Sequence, residues 1–181
     1  MKLLAIDAQS GSVKEIELEM QANTLYTYFD SILLDEILGL NEHVIYTSAN
    51  ALSDGKKAYF VGEQLLVGDA LIVGRYGFED KDVTIAQEEL SSLISSEVSE
   101  FYQRVLEILA QTDINLYRRF EVIRAEERFE LNVEWVLYTF NIADIKTRDY
   151  FIEELQKVIN SDNNVMDYMQ KMATLAMNVA R

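Results

Sequence analysis

Asp69, followed by Glu79, Asp80 and Lys81, has the Asp...Glu-x-Lys order that many magnesium nucleases use. In those enzymes two carboxylates hold the metal and the lysine stabilises charge on the attacking water or phosphate. Three common residues at loose spacing also arise by chance. The setting is unfavourable as well, because Glu79 to Lys81 reads as a turn ahead of a helix rather than as a core strand. His43 is the only histidine, which removes histidine-rich metal sites and the paired Glu-x-x-His ligands of helical di-iron proteins. A Ser-His-Asp triad would have to assemble around His43, and no G-x-S-x-G motif accompanies it. Beside Glu42, at the start of an expected strand, His43 reads as an ordinary, partly exposed residue.

Cysteine is absent, so disulfides, iron-sulfur clusters, thiolate zinc sites and a cysteine nucleophile are excluded together. The glycine spacings match neither G-x-x-x-x-G-K-[ST] nor G-x-G-x-x-G, so the common phosphate-binding loops are not expected. No metal site, no cofactor and no catalytic residue beyond the candidates Asp69, Glu79 and Lys81 is expected.

Charge is the most unusual global property. Sixteen basic against 31 acidic residues give a net charge of −15, a field that repels nucleic acid phosphates and anionic lipid surfaces. From Asp82 to Asp113 seven acidic residues face one basic residue, Arg104. Glu88, Glu89, Glu97, Glu100 and Glu107 fall mostly off the apolar stripe of that stretch. They read either as a solvated helix face or as an acidic surface that imitates phosphate spacing and occupies a basic groove on another protein. Tyr117 to Arg128 is the one locally basic stretch, with Arg118, Arg119, Arg124 and Arg128 among Glu121, Glu126 and Glu127. Helical i to i+4 ion pairs account for most of these arginines. Arg75, Tyr76, Tyr117 and Arg118 are the candidates for anion or ligand contact. Met166, Met169, Met172 and Met177 cluster near the C-terminus and read as packing, with a homodimer contact as the alternative.

The elements that position these residues follow from glycine usage and periodicity. All seven glycines lie between Gly11 and Gly77, and proline is absent. Glycine supplies the positive-φ turns that strands need, and helices exclude it, so a β-rich first module and a helical second one are expected. The join is placed between Gly77 and Val83. Lys2 to Asp7 and Val13 to Met20 read as a hairpin, and Thr24 to Leu34 as a helix capped by Asn23 or Thr24. His43 to Thr47, Ala58 to Val61, Gln64 to Val67 and Ala70 to Val73 read as strands. Gly62 to Gly74 reads either as a tight hairpin turning at Gly68 and Asp69 or as one bent strand. Leu90, Leu93, Ile94, Val98, Phe101, Tyr102, Val105, Leu106 and Leu109 form one apolar stripe, which predicts a continuous helix opened by a Thr84 and Gln87 capping box. Further helices are expected from Asp113 to about Glu127, after Thr147, and from Val165 to Ala180. Phe129 to Ile142 fits a strand or a helix, and its neighbours favour helix.

Residues 1 to about 90 resemble a family of small uncharacterised proteins carried by bacteriophages, plasmids and integrated elements. The resemblance rests on Lys2-Leu-Leu-Ala-Ile-Asp7, Val13-Lys-Glu-Ile-Glu17, the Asn41-Glu42 turn, Val67-Gly-Asp-Ala-Leu-Ile-Val-Gly74 and Val83-Thr-Ile-Ala-Gln-Glu-Glu-Leu90. The stretch between Asn50 and Gly62 departs from the family's glycine- and asparagine-containing wording. The family has no established activity, so the resemblance implies a bacterial mobile element as the setting and supplies no catalytic residue.

The expected fold class is α+β: a small mixed or antiparallel β module with one packed helix, residues 1–80, followed by an all-helical half, residues 81–181. No stretch reaches the ~18 consecutive apolar residues of a membrane span, and Asp7 comes too early for a signal peptide, so a cytoplasmic location is expected. The leading functional reading is a non-catalytic acidic protein that engages a host protein with a basic surface, without direct contact to nucleic acid or membrane. Its sharpest form is a nucleic-acid-mimicking inhibitor of a defence or processing enzyme. A small-ligand or nucleotide-sequestering oligomer and a magnesium-dependent nuclease are the alternatives.

Overall fold

The computed structural model describes residues 1–21, 23–40, 42–62, 64–110, 140–160 and 177. The chain divides into two compact units, Met1–Val98 and Ser99–Arg181.

The first unit is built on an antiparallel sheet whose strands are β1 (Lys2–Asp7), β2 (Ser12–Glu17), β3 (Leu34–Leu40), β4 (His43–Ser48), β7 (Ala70–Tyr76) and β8 (Glu79–Lys81), in the order β2-β1-β7-β4-β3 with β8 also on β7. A smaller sheet is made by β5 (Ala58–Val61), β6 (Gln64–Val67) and β9 (Ile94–Ser95), in the order β6-β5-β9. Alternation along the central strands sends side chains to two cores. On one face Leu4, Ile6, Ile45, Ala70 and Ile72 meet Tyr59, Val61 and Leu66 of the small sheet and Leu90 of α2 (Gln87–Leu93). On the other, Leu3, Val44, Tyr46, Leu71 and Val73 are covered by Ile16, Leu18, Met20 and by Leu25 and Phe29 of α1 (Thr24–Phe29). The large sheet is therefore sandwiched, and β1, β4 and β7 are nearly solid with buried apolar residues. This explains their unbroken hydrophobic runs.

The hairpin expected at the N-terminus forms as β1 and β2, and the four other expected strands are β4, β5, β6 and β7. Other expectations are corrected. The α1 helix stops at Phe29, because Asp30 takes a left-handed conformation (φ 47°) that closes the last turn. Leu34 then enters β3, an edge strand paired with β4. Gly62 to Gly74 is neither a hairpin nor one bent strand: β6 pairs with β5 and β7 with β1 and β4. Gly68 turns the chain between the two sheets with φ +78°, and a Cβ there would stand 2.7 Å from the Cβ of Ala51.

The long helix expected from Leu90 to Leu109 is interrupted. Ile94 and Ser95 leave helical geometry to pair with Val61 and Phe60, and helix resumes as α3 (Glu100–Ala110). The apolar stripe misled because a helix and a buried edge strand both want Leu93 and Ile94 against the same core. Nor does the expected capping box form: α2 starts after Ala86 without a side-chain cap, and Gln87 instead donates to the Val13 carbonyl at 3.0 Å. β8, α2 and β9 lie within the first compact unit, on the C-terminal side of the expected join.

In the second unit α3 and α4 (Ile145–Ile159) pack through Phe101, Val105 and Ile108 against Phe151, Ile152 and Leu155, with Phe140 beside them. Phe140 and Phe151 stand 4.6 Å apart, and Phe101 and Phe151 5.6 Å, in the range where aromatic pairs add to plain burial. Asp144 caps α4 by accepting from the Thr147 backbone N–H and hydroxyl, so that helix begins two residues ahead of Thr147. The helices expected between Asp113 and Glu127 and between Val165 and Ala180, and the strand-or-helix choice over 129–139, lie outside the described residues; 140–142 are helical, as is Met177. No described helix is long and apolar enough to cross a membrane.

Candidate functional site

Asp69 immediately precedes β7, whereas Glu79 pairs with Tyr76 and Lys81 with Gly74 at the strand's far end. Seven residues of extended chain separate Asp69 from the Glu79 pairing position, roughly 20 Å at strand rise. Two carboxylates that far apart do not share one ion, since two-metal sites span only about 4 Å. Asp69 instead accepts from the Ala8 N–H at 2.9 Å, and Lys81 lies 4.4 Å above the Tyr76 ring. The Glu79 to Lys81 segment is an edge strand, correcting the expected turn; the turn is Gly77 and Phe78, with φ +63° at the glycine. Among the described residues no group of three acidic or histidine side chains is placed to hold a metal.

Arg75 and Tyr76 do not converge on a ligand, because neighbouring residues of β7 face opposite sides of the sheet. Arg75 is largely buried, and all three of its guanidinium nitrogens are engaged. It donates to Asp80 through Nη2 at 2.8 Å and Nε at 3.1 Å, to Glu36, and to the Tyr46 hydroxyl. Burial works against its charge, but the bonds to Asp80 and Glu36 outweigh that and hold the guanidinium above its ordinary value. Tyr46 is pushed up to about 12, first by burial and then by the Asp80 and Glu36 carboxylates. Together these four residues tie β3, β4, β7 and β8 together from one face. Nothing in the sequence marked Tyr46, Glu36 and Asp80 as a set, since they come together only through strand register. Tyr117 and Arg118 lie outside the described residues.

His43 is 7% exposed, correcting the expectation of a partly exposed side chain. Its Nδ1 lies 3.0 Å from the Leu40 carbonyl. Its Nε2 receives the Thr84 N–H at 3.2 Å and the Ile85 N–H at 3.3 Å, with the Thr84 hydroxyl at 3.1 Å. A carbonyl on one side and two amide donors on the other assign the proton to Nδ1 and leave Nε2 an acceptor. The ring therefore pins the entry to α2 against the β3–β4 turn.

The acidic candidates have the opposite character. Glu88 and Glu89 sit in the first turn of α2, where the helix dipole favours negative charge; Glu97 lies just before the end of the first unit. All three are exposed, and none forms an ion pair with a described residue. Glu100 and Glu107, on α3 in the second unit, are also exposed and likewise without a described ion pair. The sole basic residue of that stretch, Arg104, is bound to Asp149 at 2.8 Å. Met177 is half-exposed, and the other three C-terminal methionines lie outside the described residues.

Sequence reasoning overlooked the β7–β8 turn. Tyr76 is 69% exposed and Phe78 fully so, an aromatic tip on a hairpin whose base is locked by the Arg75 cluster. Glycine at the first position of a two-residue turn is the signal that could have revealed a hairpin there. Searches against protein-family models, curated proteins and solved structures found no match to this chain.

Proposed function

We propose that this is a non-catalytic acidic binding protein that engages a host protein through a basic surface on that partner. The observation that carries the reading is the pair of exposed carboxylates Glu88 and Glu89 on α2, without an ion pair among the described residues, in a chain of net charge −15. Unpaired surface carboxylates lose little on meeting a basic partner, and they speed the encounter through long-range attraction. Glu97, Glu100 and Glu107 extend the same chemistry along the sequence. The exposed Tyr76 and Phe78 tip supplies what charge alone lacks, a rigid apolar anchor of the type that dominates binding energy at interfaces. In the setting of a bacterial mobile element, which the sequence resemblance implies, the partner is a nucleic-acid-handling defence or processing enzyme whose groove the carboxylates occupy.

The test is capture from bacterial lysate by the tagged protein at low and high salt, beside the Glu88→Gln/Glu89→Gln variant. A basic, near-stoichiometric partner that is lost at high salt and weakened by the variant supports the proposal. A bait that stays empty at both salts, or a partner held equally by the variant, refutes it.

A further inference from the structure

We infer that His43 is an acid-responsive latch: in its neutral form it holds residues 84–86, the entry to α2, on the main sheet, and protonation releases them. Nε2 serves as acceptor for the backbone N–H groups of both Thr84 and Ile85. A proton on Nε2 would turn that acceptor into a donor facing two amide donors, with the Thr84 hydroxyl at 3.1 Å as the one described group able to receive it, so the docked arrangement disfavours the imidazolium. Release frees the ring to take up a proton, and linkage then requires the released form to gain population as pH falls.

His43, Gly74 and Lys81 form one cross-strand row on a single sheet face, so the nearest charged position in that row is cationic. On the turn, Glu42 adjoins the ring through the chain. On the docked segment, Asp82 precedes Thr84 and is engaged by the Lys2 N–H at 2.9 Å. Arg75 and Asp80 face the opposite side of the sheet and satisfy each other. What lets go is limited: Val83 remains bonded to the Lys2 carbonyl and Leu90 remains buried. Gln87 also stays bonded to the Val13 carbonyl at 3.0 Å, so the opening is local to residues 84–86. A consequence for partner binding rests on the acidic-surface reading above; the latch itself does not.

The experiment is NMR on the full-length protein. Imidazole ¹⁵N shifts at neutral pH are expected to place the proton on Nδ1. Amide exchange protection, which corrects for intrinsic rates, is expected to fall about tenfold or more at Thr84 and Ile85 between about pH 8 and pH 5, while Leu4 and Ile72 hold steady. Carboxylates of ordinary acidity remain ionised over that interval. In His43→Gln, whose Oε1 takes the place of Nε2 and cannot titrate there, the pH dependence should vanish. A proton on Nε2 at neutral pH, constant protection at Thr84 and Ile85, or a glutamine variant that follows the wild type would each overturn the latch. Should the variant not fold, the two wild-type measurements still decide. No partner enters these readouts, so the latch and the binding proposal fail separately.

Discussion

Two polar regions of the first unit behave in opposite ways. Around His43 and Arg75 both imidazole nitrogens and all three guanidinium nitrogens have partners, and the side chains are largely buried. On α2, Glu88 and Glu89 stand exposed with no described ion pair. Histidine and arginine are the residue types that promise chemistry, yet here their capacity is spent on holding strands and a helix entry in register. The bland carboxylates are the groups that no described residue pairs with. Unused bonding capacity in the fold, rather than residue type, separates a candidate interface from scaffolding.

The comparison breaks most severely at Gly74. A Cβ at this position would lie 2.3 Å from the Asp82 carbonyl oxygen, a backbone atom. Gly74→Ala should cost about 3 kcal/mol by overpacking, measured by denaturant unfolding, and should push residues 82–85 away from His43. His43→Ala comes next. It leaves two amide donors without their acceptor in a buried place, for a loss of about 2 kcal/mol, with exchange at Thr84 and Ile85 rising ahead of global unfolding. If this variant is as stable as the wild type, the imidazole is not a pin.

Arg75→Met should cost less, about 1 to 2 kcal/mol, because Glu36 is half in solvent and can rehydrate. Lysine should not restore the loss, since a single ammonium cannot serve Asp80, Glu36 and Tyr46 together. Tyr46 adds a pH signature. Its phenol is held at about 12 against an ordinary 10, so the folded state keeps this proton more tightly than the unfolded chain does. The associated stability is complete below pH 10 and is lost as pH rises through about 12. Tyr46→Phe should flatten that alkaline decline, followed by circular dichroism; an unchanged decline would place its cause elsewhere.

Legibility followed locality. The β1–β2 hairpin and the strands β4, β5 and β7 were readable because they carry their own hydrophobic runs and turn residues. β3 was not, because Leu34-Asp-Glu-Ile-Leu-Gly-Leu40 neither alternates nor forms an apolar run; only the neighbouring β4 makes it a strand. The break at Ile94 was hidden for the related reason that pairing with β5, thirty-odd residues back, decides against helix. For the site, exposed carboxylates could be named from sequence, since charge needs no partner to be exposed. The Arg75 cluster and the His43 pin could not, because they join residues 5 to 42 positions apart through strand register.

The smallest expected effect on stability is the one most informative about function. Glu88→Gln/Glu89→Gln removes two charges without touching a described hydrogen bond of either side chain, so unfolding should shift by less than about 0.5 kcal/mol. Loss of the favourable first-turn dipole interaction and relief of repulsion within an acidic chain oppose each other and are both small. Phe78→Ser should be equally silent, because Phe78 buries nothing. Against a captured partner the two variants should then diverge. The charge variant should slow association and flatten the dependence on salt, whereas Phe78→Ser should speed dissociation at every salt concentration. Surface plasmon resonance separates the two rates. Equal association rates for wild type and charge variant would remove α2 from the interface, and an unchanged dissociation rate for Phe78→Ser would remove the hairpin tip.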